Sequence, residues 1–363
     1  MKENMNGSYL DLIIHPGETI KELLEEKEMT QEELAIRTGY SAKHVSEVLS
    51  GKKNISSNFA NSLEYVFDIP TEFWINLQGN YDKEILEVEK INNIKKEEFD
   101  VLDELKDIVK YCEVAGIIEA NTNKSLTLLN MRKFLNVNNL LSIVDLPLQL
   151  VSFRGSKKIK VNTNILYAWK RICEYSTKEV TTSKKFDKKK LKEKCFEIKK
   201  TMFLEPNEMI EELKKIFLEC GIVFDVVHNF VGAPVQGYIQ KRKNRVLLCM
   251  TIRQSFADVF WFTLFHEIGH LINDDFKNQY IDYYFIEDTK EKKADAFARN
   301  ELINDDAYEQ FIKTKKYSFS IINDFAKSQG VKPGIVIGRL QKDFGDYTFM
   351  ARYRERYKWI DNI

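Results

Sequence analysis

The sequence predicts a mostly α-helical protein in three parts. A five-helix N-terminal domain is expected over residues 8–82, a helical linker domain over 83–203, and an α+β domain with a small three-stranded sheet over 204–363. Three observations lead there. Short apolar-periodic runs punctuated by Ser, Thr and Gly fill the first eighty residues. Residues 81–150 keep a helical pattern, acidic at first and then more apolar. Beyond Glu208 a helical run to Cys220 gives way to three short β-branched runs separated by turns, followed by a long apolar helix.

The first domain is read from its caps. His15-Pro16-Gly17-Glu18 opens a helix that continues through Leu23 and Leu24. Thr30 and Glu33 have the form of a capping box, with Thr30 as N-cap and Glu33 reaching back to it. Gly39 follows as a turn residue that tolerates positive φ. Ser41 caps the helix Ala42–Leu49, which ends at Gly51, and Ser56 caps a further helix with Phe59, Leu63, Val66 and Phe67 on its inner side. Two short helices joined by a tight Gly-containing turn, the second presented outwards, form a helix-turn-helix layout.

The middle of the chain is dominated by charge. Residues 1–80 hold seven Lys/Arg against thirteen Asp/Glu, whereas residues 151–200 hold sixteen against five. A solvated amphipathic helix accounts for the basic stretch; the alternative is a patch for nucleic acid or an acidic partner, including the acidic N-terminal domain. Leu166, Tyr167 and Trp169 read as core.

The chemistry sits in Trp261–Ile272, where His266-Glu267-Ile268-Gly269-His270 is set into an apolar helix. Histidines four residues apart lie one turn apart on one helix face, so both imidazoles can hold one metal ion, most commonly zinc. Glu267 projects beside them, placed to act as general base on a zinc-activated water. The third ligand is expected from a second helix, Glu291–Ala298. There Glu291 and Asp295 share a face at i, i+4 beside the small residues Ala294 and Ala298. Glu291 completes a two-His-one-Glu set in preference to Asp274, Asp275, Asp282, Glu287 or Asp288, and Asp295 can accept the free ring N–H of a liganding histidine. His228 reads as structural. Arg253, Tyr283 and Tyr284 are the candidates for stabilising an oxyanion.

The runs "DVFWFTLFHEIGHLIND", "EKKADAFA" and "INDFAKSQGVKPGIVIGRLQ" together resemble the ImmA/IrrE family of bacterial metallopeptidases. The resemblance implies a zincin-like domain that cuts a partner protein, often a repressor encoded nearby. Many such relatives carry a further histidine where this sequence has Asp274. The N-terminal "HPGE", "TQEELA", "SEVLSGKKNIS" and "TEFWINLQGNYD" resemble the helix-turn-helix of HigA-type antitoxins. That resemblance implies Ser41, Lys43, His44 and Ser46 facing base edges of operator DNA, with Lys52 and Lys53 on phosphates. A homodimer would double the contacts across a palindrome, which an acidic domain needs.

Composition bounds the rest. No apolar run of eighteen residues marks a membrane span and no signal peptide is evident, so a cytoplasmic protein is expected, with no membrane partner. Five cysteines, dispersed and without Cys-x-x-Cys spacing, suit reduced thiols. The expected function is a bacterial regulator or antitoxin with a zinc endopeptidase domain acting on a repressor or toxin. The alternative is a non-catalytic DNA-binding antitoxin or repressor whose zincin-like domain is a sensor or a partner-docking surface.

Overall fold

The computed structural model describes residues 13–146, 161–180, 182–242, 245–274 and 288–359. The chain divides into two compact units, Met1–Lys96 with Asn121–Leu129, and Glu97–Ala120 with Asn130–Ile363.

Among its described residues the first unit holds the helices α1 (Pro16–Glu26), α2 (Gln31–Thr38), α3 (Ala42–Leu49), α4 (Ser57–Phe67) and α5 (Thr71–Asn92), with the start of a later helix. Its core is a single cluster, with Ile20, Leu34, Val45, Val48, Phe59, Leu63 and Trp74 fully buried. Full burial of one such side chain contributes about 1.5–3 kcal/mol.

The caps form largely as expected. Thr30, Ser41 and Ser56 each accept the backbone N–H three residues on, at 3.1–3.2 Å. Gly39 takes φ 75° and ψ 17°. The capping box is only half made, because Glu33 does not reach back: its carboxylate pairs with Arg37 one turn ahead at 2.6 Å. His15 proves to be the N-cap of α1, its Nδ1 accepting from the Gly17 N–H at 2.9 Å. Gly17 is held close there, since a Cβ would lie 2.3 Å from the Val48 carbonyl oxygen.

The second unit opens with α6 (Lys96–Glu104) and α7 (Lys106–Val114), and takes in the C-terminal part of α8 (Lys124–Leu135). The helices α9 (Thr163–Ser176), α10 (Lys188–Lys200) and α11 (Pro206–Glu219) follow. Trp169 and Leu166 of α9 are buried, and the part-buried Tyr167 donates to the Leu135 carbonyl. Within the basic stretch, residues 151–160 and 181 lie outside the described residues. The lysines of α10 meet acids of their own unit: Lys188 with Asp274 at 2.6 Å, Lys190 with Glu219 at 3.2 Å, and Lys194 with Glu197 at 2.6 Å.

The three strands β1 (Ile222–Val226), β2 (Gly237–Arg242) and β3 (Arg245–Met250) form a sheet of order β1-β3-β2. β1 runs parallel to β3 and β2 antiparallel to it, with Gly237 opposite Met250. Among the described residues β2 is therefore an edge. Helices α12 (Ala257–Ile272), α13 (Asp288–Leu302), α14 (Asp305–Lys313), α15 (Phe319–Ser328) and α16 (Pro333–Phe344) complete the unit. Pro333 stands in the first turn of α16, and Gly330 just before it takes φ 65°. One core cluster spans the sheet and these helices. All five cysteines are free and buried. Among the described residues no helix is long and apolar enough to cross a membrane.

Candidate metal centre and nucleic-acid interface

Helix α12 is the buried axis of the second unit, with every residue from Thr263 to Leu271 buried. Its apolar sequence explains that placement, since a helix hydrophobic all round must be covered on all sides. α13 crosses it at small residues: a Cβ on Gly269 would lie 3.1 Å from the Ala294 Cα. That close approach carries Glu291 and Asp295 of α13 onto the histidine face of α12.

The three expected ligands converge. Glu291 Oε2 lies 3.2 Å from His266 Nε2, Glu291 Oε1 lies 3.3 Å from His270 Nε2, and the two ring nitrogens are 3.0 Å apart. One ligand atom from each falls within 4.8 Å of the others. His266 and His270 are buried, whereas the Glu291 side chain keeps 30% exposure, so the group is open on the carboxylate side. Asp295 Oδ1 stands 2.8 Å from His266 Nδ1. If that nitrogen carries the proton, the Nε2 lone pair is directed at the triad.

Burial alone would lower the His270 pKa and raise that of Glu291. The contacts outweigh it: hydrogen bonding to Glu291 and the nearby Glu267 charge hold His270 above its ordinary value, and the two imidazoles hold Glu291 well below its own. The carboxylate is therefore ionised, and two nitrogens with one oxygen are a donor set suited to a divalent cation.

Glu267 lies beside the group, buried, and β2 closes on it. A Cβ at Gly237 would lie 2.4 Å from Glu267 Oε1. Sequence reading did not single out Gly237. A glycine at the start of a strand is the signal that marks close backbone approach.

The other candidates separate. Asp274 is engaged by Lys188. Asp275, Asp282, Tyr283, Tyr284 and Glu287 lie outside the described residues, as does the side chain of Asp288. Arg253 donates to the Pro234 carbonyl at 3.4 Å. His228 packs among Tyr111, Phe230 and Trp359 with ring centroids 5.1–5.7 Å away, a structural position.

In the first unit, Ser41, Lys43, Ser46, Lys52 and Lys53 are all exposed. Ser41 Oγ is occupied as the cap of α3. His44 differs from expectation. Its ring lies 4.5 Å from Tyr40 and 5.1 Å from Phe59, with Nε2 buried and lacking a hydrogen-bond partner. Burial, with the charge of Lys53 behind it, holds its pKa below the ordinary value, so it packs as a neutral ring. The reason is spacing: His44 shares a face with the buried Val48 at i+4, while Lys43, Ser46 and Glu47 form the outer stripe. Glu47 tempers that stripe, lying 3.8 Å from Lys43 Nζ and 4.0 Å from Lys53 Nζ.

Fold and site together define a helix-turn-helix protein carrying a metallopeptidase-like domain. Comparison with known families agrees. Residues 20–74 match the helix-turn-helix family model, and residues 258–341 match the IrrE N-terminal-like domain of a peptidase family. The chain joins an XRE-like helix-turn-helix domain to an ImmA/IrrE-type peptidase domain. No curated protein matches it. Among solved structures it is similar to the Pseudomonas aeruginosa antitoxin HigA with the higBA promoter, at 34% identity over 20% of this chain and 80% of that one, TM-score 0.20. It is similar also to the antitoxin GraA, at 30% identity over 23% of this chain and 95% of that one, TM-score 0.21. A HigA-family addiction module antidote protein from Coxiella burnetii is similar at 27% identity over 30% and 97%, TM-score 0.19.

Proposed function

We propose that the protein is a cytoplasmic bacterial regulator or antitoxin whose C-terminal domain is a zinc-dependent endopeptidase acting on a partner protein, a repressor or a toxin. The observation that carries this is the convergence of His266, His270 and Glu291 from two packed helices beside a buried glutamate. Zinc bound there would supply Lewis acidity, polarising a carbonyl and making water acidic enough to attack near neutral pH. His266, His270 and Glu291 would hold it, with Asp295 orienting His266. Glu267 takes the proton of the attacking water as the new C–O bond forms, and delivers it to the amine nitrogen as the C–N bond breaks. The edge of β2 holds the substrate extended, by main-chain hydrogen bonds. Glu267→Gln is expected to keep one zinc per chain while cleavage falls by about 10²–10⁴-fold, the usual worth of a general base. Undiminished cleavage by that variant would remove Glu267 as the base, whereas a variant that keeps full biological activity without cleaving would refute the peptidase reading and leave the binding-only alternative.

We infer further that the N-terminal domain binds operator DNA as a homodimer, with the outer stripe of α3 in the major groove and Lys52 and Lys53 on phosphates. The outward exposure of Lys43, Ser46, Lys52 and Lys53 supports this. On a fragment of the protein's own promoter, Lys52→Ala and Lys53→Ala should each weaken binding uniformly and reduce the slope of log K against log salt by about 1. An unchanged slope removes these lysines from the interface, and no complex at any salt removes the DNA reading.

A further inference from the structure

The two helix faces that carry the candidate ligands continue past them into a cleft of about 510 Å³. On α12, Phe262 and Thr263 line it one turn ahead of His266 and Glu267, and Val259 a turn further on. On α13 the stripe Glu291, Asp295, Arg299, Leu302 leaves the ligand group and enters the cleft at Arg299. Residues three and four apart share a helix face, so the cleft begins about 5 Å, one helical turn, from the ligand atoms. Gln236, the neighbour of Gly237, also lines it, so the strand that abuts Glu267 borders the cleft as well.

Its charge is unbalanced. Arg299, Arg339, Lys342 and Arg354 line it against Asp258 and Asp343. Asp258 is held by Arg354 through hydrogen bonds of 2.9 and 2.7 Å. Arg339 pairs with Asp305 at 2.7 Å through one terminal nitrogen, its Nε lacking a partner, and Asp343 accepts from the Tyr308 hydroxyl at 2.7 Å. The Arg299 guanidinium has no hydrogen bond or ion pair among the described residues. A second, independent group points the same way: the Thr263 hydroxyl is 2% exposed and lacks a hydrogen-bond partner. Buried polar groups are normally satisfied, and an unsatisfied one lining a cleft marks where a ligand atom belongs.

We propose that this cleft is the side-chain subsite next to the scissile bond and that it takes an acidic side chain, its carboxylate received by Arg299 and by the Thr263 hydroxyl. The assignment rests on the peptidase reading and deepens it, naming the substrate class as a protein cut beside Asp or Glu. The planar guanidinium matches a carboxylate with two parallel N–H donors, which an amide side chain cannot reciprocate. A basic side chain would face Arg299 and Lys342 together, so the cleft rejects as well as selects.

The test uses fluorescein-labelled decapeptides on a neutral host, with a single Glu walked through every position and a matching Gln series. Binding is read by anisotropy on full-length, zinc-loaded Glu267→Gln protein, and cleavage on the unsubstituted protein. Glu should bind at least tenfold tighter than Gln at one position. Arg299→Gln should erase that preference and Arg299→Glu should transfer it to Lys, both with an unaltered melting temperature. Equal binding of Glu and Gln peptides at all positions, no binding of either, or a Glu preference that survives Arg299→Glu overturns the subsite. Cleavage reports separately: a Glu preference in binding with no cleavage upholds the subsite and removes the peptidase reading, and cleavage without the preference does the reverse.

Discussion

Glu291→Ala is expected to lose zinc after dialysis against metal-free buffer, and with it all measurable peptide cleavage. The unsubstituted protein should keep one ion per chain. The carboxylate closes a triangle with two ring nitrogens 3.0 Å apart, and its oxygens approach both at 3.2 and 3.3 Å. Without it, two imidazoles remain to carry the whole affinity, with no negative charge in direct contact with the ion. A ligand that binds only the folded chain stabilises it by about 2.7–4.1 kcal/mol at 100–1,000 times its Kd. Zinc should therefore raise the melting temperature of the native protein and leave that of the variant unmoved. A variant that retained stoichiometric zinc, or that gained stability from it, would place the third ligand elsewhere and undo the site as drawn.

Gly237→Ala is expected to damage cleavage while sparing the metal. The added Cβ would lie 2.4 Å from Oε1, 2.6 Å from Cγ and 2.7 Å from Cδ of Glu267. Those atoms cannot swing into solvent, because Glu267 is 1% exposed. Gly237 does not occupy the left-handed region, so the obstacle is steric alone. Either the carboxylate leaves its place or β2 lifts from α12, and a displacement on the order of 1 Å at a reacting group costs about 10²-fold in rate. Overpacking of this kind also costs about 1–3 kcal/mol of stability. The expected signature is full zinc, a melting temperature a few degrees lower, and cleavage down about a hundredfold. Unchanged cleavage would mean that the position of Glu267 beside β2 has no part in the reaction.

Much of this arrangement was legible in the residues. The caps at Thr30, Ser41 and Ser56 are local, because a side-chain oxygen three residues ahead of a backbone N–H needs no distant partner. The paired histidines of α12 are local too, since four residues make one turn. Glu291 was reachable through the small residues beside it, as Ala294 marks a helix able to come close to another. Where several partners competed, spacing gave no decision. Glu33 had the position for a capping box, but Arg37 offered a charged partner one turn away and took it. His44 lies on a nominally exposed recognition helix, yet Tyr40 and Phe59 claim its ring. The lysines of α10 read as a solvated amphipathic face, and three of them are met by acids of their own unit.

The order of helices and strands, the turn glycines and the two histidines on one face were determined by the sequence itself, through interactions that reach no further than a helical turn or a strand pair. Which glycine yields room to Glu267, and which arginine of the neighbouring cleft stands without a partner among the described residues, were decided only by tertiary packing. Each depends on the approach of segments twenty or more residues apart in the chain. That approach follows from the burial of α12 against α13 and β2, a sum over many apolar contacts that no short pattern of residues encodes.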